Sequence, residues 1–196
     1  MRVGSRVICA CLLSVATNVC FADARVTVYY LDKNYYPVAR LDRLAPLSEG
    51  MRAILALYAL NNGAGCDHVS EVGLQCTLTA ALGFKAQCSE EHISLVRRWF
   101  PGPLPRFNTY ALPEELANPR TKGALERLCY RQPNTASWQR LWEVIRIGRD
   151  NDTVTVQAAG VWVAPDGNSG KFSYMTRFRI GSRSVDLISN TEARRD

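Results

Sequence analysis

The chain has 196 residues, of which 47% are hydrophobic and 21% charged, with a formal net charge of +6. The length is enough for one domain with a real core, and the chain contains no internal repeat and no low-complexity segment. The positive excess is mild. It falls short of the clustered basicity of a nucleic-acid binder and suits an anionic envelope component or an acidic partner protein.

At the amino end, Arg2 and Arg6 precede an apolar run from Val7 to Val19 that only Ser14, Thr17 and Asn18 interrupt. Small residues follow at Ala22 and Ala24, which is the layout of a secretory signal peptide cleaved after Ala22 or after Ala24. The run is shorter than the roughly 20 residues of a stable membrane anchor. Cys20 follows Thr17-Asn18-Val19 instead of the Leu-x-small pattern of a lipid-modified cysteine, which disfavours lipidation. Residues 1–22 are therefore read as the leader and 23–196 as a single α+β domain, periplasmic or secreted. The leader carries two arginines and no acid, so 22 basic against 18 acidic residues leave the domain at +4.

Cysteine usage points the same way. Cys66, Cys76, Cys88 and Cys129 fall in the exported part, an even number that reads as two disulfides. Their spacings of 10, 12 and 41 residues contain no C-x-x-C pair, which argues against zinc. Of the three connectivities, a local Cys66–Cys76 loop with Cys88–Cys129 tying two helices is preferred.

In chain order, Arg25 to Leu31 is β-branched and aromatic, and Asp32-Lys33-Asn34 supplies turn chemistry. Tyr35 to Leu41 is then the return strand of a β-hairpin. Pro37 cannot donate a ladder bond and sends that strand to an edge.

The middle is helical. Ser48 caps a helix with Met51, Ile54, Leu55 and Tyr58 on one face, and Asn61-Asn62-Gly63 stops it. Leu74 to Leu82 is a second, shorter helix. Ser89 caps a third, with Glu90 and Glu91 at its start, Arg97 and Arg98 near its end, and Pro101 terminating it. Four prolines between Pro101 and Pro113 impose a stiff, extended connection. Asn118-Pro119 opens a further helix to about Tyr130.

The last third reads as a four-stranded antiparallel meander: Trp138 to Arg149, Thr153 to Val163, Lys171 to Ile180 and Ser184 to Ser189. In the third strand Phe172, Tyr174, Thr176, Phe178 and Ile180 alternate with Lys171, Ser173, Met175, Arg177 and Arg179. Ala158-Ala159-Gly160 breaks the second strand's alternation and is expected to be a bulge. The fold expected is thus α+β: an N-terminal hairpin, a disulfide-linked helical middle and a meander packed on the helices. In element order it is similar to NTF2-like and cystatin-like layouts, an analogy of architecture that hosts many functions.

Catalytic patterns are sparse. His68 adjoins Cys66 and Asp67, but near neighbours on a chain seldom align for proton transfer, and Cys66 is expected to be oxidised. His92 falls in the first turn of a helix, where a solvated surface histidine is expected. The acid pairs Glu90/Glu91, Glu114/Glu115 and Asp150/Asp152 are explained by helix starts and turns. Trp99, Trp138, Trp142 and Trp162 read as core packing before any ligand platform. No cofactor, no metal and no nucleic acid is expected.

One surface stands out as a candidate binding face. If the meander pairs in order, Arg146 shares a sheet with Lys171, Arg177 and Arg179, and Trp142 alternates in step with Arg146. A face mixing Trp142 with these cations suits a carboxylate, a phosphate or an acidic loop. The expectation is a non-enzymatic exported protein that binds a partner protein or an anionic envelope component, such as an inhibitor or immunity protein. The rivals are a small hydrolase with a site assembled from distant residues, and a structural accessory subunit.

Overall fold

The computed structural model describes residues 25–60, 74–86, 88–105, 139–164 and 166–195. The expected leader, the Cys66–His68 segment and the Asn118–Tyr130 helix lie outside the described residues. So do Cys66 and Cys129, and with them one partner of each expected disulfide.

The chain is α+β. Its strands are β1 (Val26–Leu31), β2 (Pro37–Ala39), β3 (Gln139–Asp150), β4 (Thr153–Val163), β5 (Ser169–Ile180) and β6 (Val185–Arg195). They form one antiparallel six-stranded sheet in the order β2-β1-β3-β4-β5-β6. The sheet expected as a four-stranded meander is therefore corrected to six strands. The N-terminal hairpin joins it, because β1 pairs with β3 and occupies what would otherwise be an exposed edge. β2 is outermost, as Pro37 requires. The last strand also runs to Arg195, beyond the Ser189 limit expected for it.

Turn chemistry sets the hairpins. Asp32 Oδ1 accepts from the backbone N–H groups of Asn34 at 2.8 Å and Tyr36 at 2.9 Å. Asn151 takes a φ of 53° between the paired residues Asp150 and Thr153. That left-handed conformation suits asparagine at a two-residue turn. Asp166 likewise accepts from the N–H of Asn168 at 3.0 Å beside Gly167, whose φ is 85°.

The helices α1 (Glu49–Leu60), α2 (Leu74–Ala81) and α3 (Glu90–Trp99) follow their sequence signals. Ser48 Oγ accepts from Met51 N–H and Ser89 Oγ from His92 N–H, each at 3.3 Å. α1 is more deeply placed than its amphipathic stripe implies: Gly50, Met51 and every residue from Ala53 to Leu60 are buried. It contacts α2 and α3 as well as the sheet, which leaves only Glu49 exposed and Arg52 half-buried. Gly50 permits this approach, since a Cβ there would lie 2.7 Å from Ile180 Cγ2. At the other end of β5, a Cβ on Gly170 would come within 2.6 Å of the Trp162 ring. Arg52 links α1 to α2, donating to the Leu82 carbonyl at 2.9 Å with its guanidinium 5.9 Å above the Phe84 ring.

The sheet's inner face carries the core: Ile145 and Ile147 of β3, Val154, Val156 and Ala158 of β4, and Phe172, Tyr174 and Phe178 of β5. Phe100, just after α3, meets Phe178 edge-on at 6.0 Å. β4 and β5 pair without interruption from Thr153–Arg179 to Val163–Ser169, so the bulge expected at Ala158–Gly160 is not there. It lies across the ladder in β3, where Trp142 faces Gly160 and Val144 faces Ala159, leaving Glu143 as the extra residue.

Candidate functional site

The bulge at Glu143 decides what each β3 side chain faces. Strict alternation puts Trp142, Val144 and Arg146 together. The extra residue inverts the parity, so Trp142 falls in line with Ile145 and Ile147 on the inner face. Trp142 is 4% exposed and packs against Phe172 at 5.0 Å and Tyr58 at 6.3 Å. It is thus a core residue and no part of a basic surface, which corrects the expected mixed face. Among the other tryptophans, Trp99 is buried and Trp162 half-buried, and Trp138 lies outside the described residues.

The four cations do share the opposite, outer face. Arg146 pairs with Gln157 on β4, which pairs with Met175 on β5; Arg177 lies opposite Thr155, Arg179 opposite Thr153 and Lys171 opposite Val161. Strands sit about 4.8 Å apart and each residue rises about 3.4 Å, so Arg146 and Arg177, two strands apart and two residues out of register, are about 12 Å apart. Arg25, preceding β1, reaches Gln157 as well, with Nη1 3.2 Å from Oε1. Gln157 thus has Arg146 opposite it on β3, accepts from Arg25 ahead of β1 and lies diagonal to Arg177 on β5. Arg179 has acidic company: Asp152 at 3.8 Å, and Asp186 opposite it on β6. Among the described residues, the side chains of Arg146, Lys171 and Arg177 have no hydrogen-bonded or ion-paired partner. Arg177 and Lys171 are exposed and Arg146 is half-buried, so the three differ in how far water screens them.

Sequence reasoning passed over Arg25 and Gln157 as members of this face, and put Met175 on it without counting it among the site residues. The alternation of β5 already marks Met175 as outward. Arg25 and Gln157 join only through the pairing of three strands.

His92 is the second correction. It is completely buried and not solvated, because α3 lays its first turn against α1. Its Nε2 lies 2.8 Å from the Ala56 carbonyl, so that nitrogen carries the proton and donates. The ring stacks on Phe84 at 4.6 Å, nearly parallel. Nδ1 has no protein partner among the described residues. Burial lowers the histidine's pKa, with the Ala56 hydrogen bond opposing that shift, and the neutral form fills the core.

A polar chain crosses the core beside Trp142. Tyr58 hydroxyl donates to Thr176 Oγ1 at 3.1 Å, and Thr176 donates to Asn190 Oδ1 at 2.8 Å. Desolvation pushes the Tyr58 phenol well above its ordinary pKa and raises Tyr29 to about 12. Both phenols stay protonated at neutral pH, and the chain is a tie between helix and sheet.

Glu90, Glu91, Asp150 and Asp152 are exposed. Among the described residues no group of three or more His, Cys, Asp or Glu side chains converges as metal ligands do. No helix of the described residues is long and apolar enough to cross a membrane. Glu114, Glu115, Cys66 and His68 lie outside the described residues.

No protein-family model matches the chain, and neither a curated protein nor a solved structure matches it. The NTF2-like and cystatin-like analogy accordingly rests on element order alone.

Proposed function

We propose that this is an exported, periplasmic, non-enzymatic protein that binds an acidic protein partner through the outer face of its sheet. The observation that carries the reading is the trio Arg146, Lys171 and Arg177: cations with no partner among the described residues, held on one face of the sheet by the β3–β4 and β4–β5 ladders. A twisted sheet displays such charges with little loss of backbone entropy on binding, and arginine's planar fork suits carboxylates. The half-buried Arg146 is the anchor, because partial desolvation strengthens a charged hydrogen bond. An inhibitor or immunity protein directed at an envelope-acting enzyme is the concrete form of this proposal.

The exported state belongs to the same proposal. The leader-like residues 1–22 support it, and so does the bonded state of the Cys76 and Cys88 sulfurs. The disulfide-linked middle, with bridges Cys66–Cys76 and Cys88–Cys129, is proposed as its oxidised frame. Mass spectrometry of the natural product is expected to find a chain starting at Asp23 or Arg25 with four oxidised cysteines.

The test is retention of one acidic protein from an envelope fraction by the immobilised wild type, and its loss when Arg146, Lys171 and Arg177 are all changed to glutamine. Retention should fall as salt rises, because exposed charges are screened within about 10 Å at 0.1 M. Retention unchanged in a folded triple variant overturns the reading. Retention of an anionic polymer alone replaces the protein partner with an envelope component.

A further inference from the structure

A second feature lies on the helix side of the sheet, away from the outer face. The 3₁₀ turn Leu41–Leu44 packs against β1, and segment 44–48 shares a cavity lining with Val26 of β1 and Ile147 and Arg149 of β3. The cavity has a volume of about 310 Å³, and Val26, Arg43, Leu44, Ser48, Met51, Ile147 and Arg149 line it. Val26 and Ile147 face each other across the β1–β3 ladder. With Leu44 and the buried Met51 they make an apolar wall. The volume is twice the roughly 150 Å³ of an engineered apolar cavity that holds benzene, so a ring or short alkyl chain fits.

Two guanidinium groups belong to the same lining. Arg149 donates through Nε to the Asn151 carbonyl at 3.0 Å, which orients the group and leaves its terminal donors for another acceptor. The Arg43 side chain has no hydrogen-bonded or ion-paired partner among the described residues. Of the carboxylates near this end, Asp42 feels the Arg43 charge but takes its side-chain hydrogen bonds from another arginine, and Glu49 is paired away from the cavity. Asp42 is held by Arg40 through two bonds of 3.1 Å, and Glu49 by Arg98 through two bonds of 3.2 Å. Ser48 accepts from Met51 N–H and keeps its own hydroxyl proton to donate.

We infer that this cavity is a binding site for a small amphipathic monocarboxylate, a carboxylate borne on a single ring or a short alkyl chain. The tail lies against Val26, Ile147, Leu44 and Met51, and the carboxylate meets Arg43, Arg149 and the Ser48 hydroxyl. A simple inorganic anion would leave the apolar wall unused, and an uncharged alkane would leave two cations unpaired.

The chain has three methionines, and two of them report on different surfaces: Met51 lines this cavity and Met175 lies on the outer face. In protein labelled at its methionine methyl groups, octanoate is expected to shift the Met51 signal saturably and leave Met175 in place. Acetate, which lacks the tail, and octanol, which lacks the charge, should each bind about tenfold or more weakly, one factor of ten being 1.4 kcal/mol. Arg43→Gln combined with Arg149→Gln should weaken octanoate by a similar factor; both side chains are exposed, and such surface changes leave folding intact. No saturable Met51 shift in the wild type overturns the inference without any variant. Equal affinity in the double variant, or for octanol, also overturns it. Because Met175 is read in the same spectra, failure here is distinguishable from failure of the outer-face proposal.

Discussion

The two faces of the six-stranded sheet use the same strands for opposite ends. On β5, Phe172, Tyr174, Thr176 and Phe178 are at most 2% exposed, while Lys171, Met175, Arg177 and Arg179 between them face water. The inner face is held by what lies on it: aromatic rings, the α1 helix and one hydroxyl chain. The outer face contributes little to its own stability, since three of its cations have no partner among the described residues. Stability and recognition are thereby divided between alternate residues of one strand, and a change on one side need not disturb the other.

The largest expected effect tests that division directly. Phe178→Ala removes a fully buried ring that Phe100 meets edge-on and should cost about 3–5 kcal/mol in urea denaturation. Its neighbour Arg177→Ala should change stability by less than about 0.5 kcal/mol and act only on binding. A comparable loss from both would show that the outer face is structural. The hydroxyl chain gives a smaller effect. Tyr58→Phe deletes the donor to Thr176 while Thr176 keeps Asn190, and should cost about 1 kcal/mol by the same measurement.

The gentlest effect is a slope with pH. Burial lowers the His92 pKa in the folded protein, so on acidification the unfolded chain takes up the proton first. The contribution of neutral His92 is fully present above the unfolded histidine value, about 6.5. It is lost as pH falls from there toward the lowered folded value. Urea midpoints measured between pH 7 and pH 5 should decline, and less so in His92→Gln. A rise in stability on acidification would contradict the buried, neutral assignment.

Which parts of this were legible beforehand follows from the range of the interactions. The caps at Ser48 and Ser89, the turn at Asp32 and the alternation of β5 are all local, and each is visible in a few neighbouring residues. Lys171, Arg177 and Arg179 were placed correctly relative to one another because they lie on one strand. Arg146 required a pairing across β4, and Trp142 was misplaced because the bulge at Glu143 is set by two strands together. His92 has the sequence context of a surface position; what buries it is α1 and the ring of Phe84, which are distant in the chain or in a separate element.

By itself the amino-acid sequence determined the local elements, their caps and turns, and the split of β5 into an apolar and a cationic row. It did so because those features depend on backbone preference and on periods of two or 3.6 residues. Only the tertiary structure decided that the hairpin joins the meander, that Trp142 points into the core, and that Arg25 and Gln157 meet. It also decided that Arg43 and Arg149 line one cavity. Those outcomes rest on register between strands and on contacts between elements far apart in the chain, and a single inserted residue reverses them.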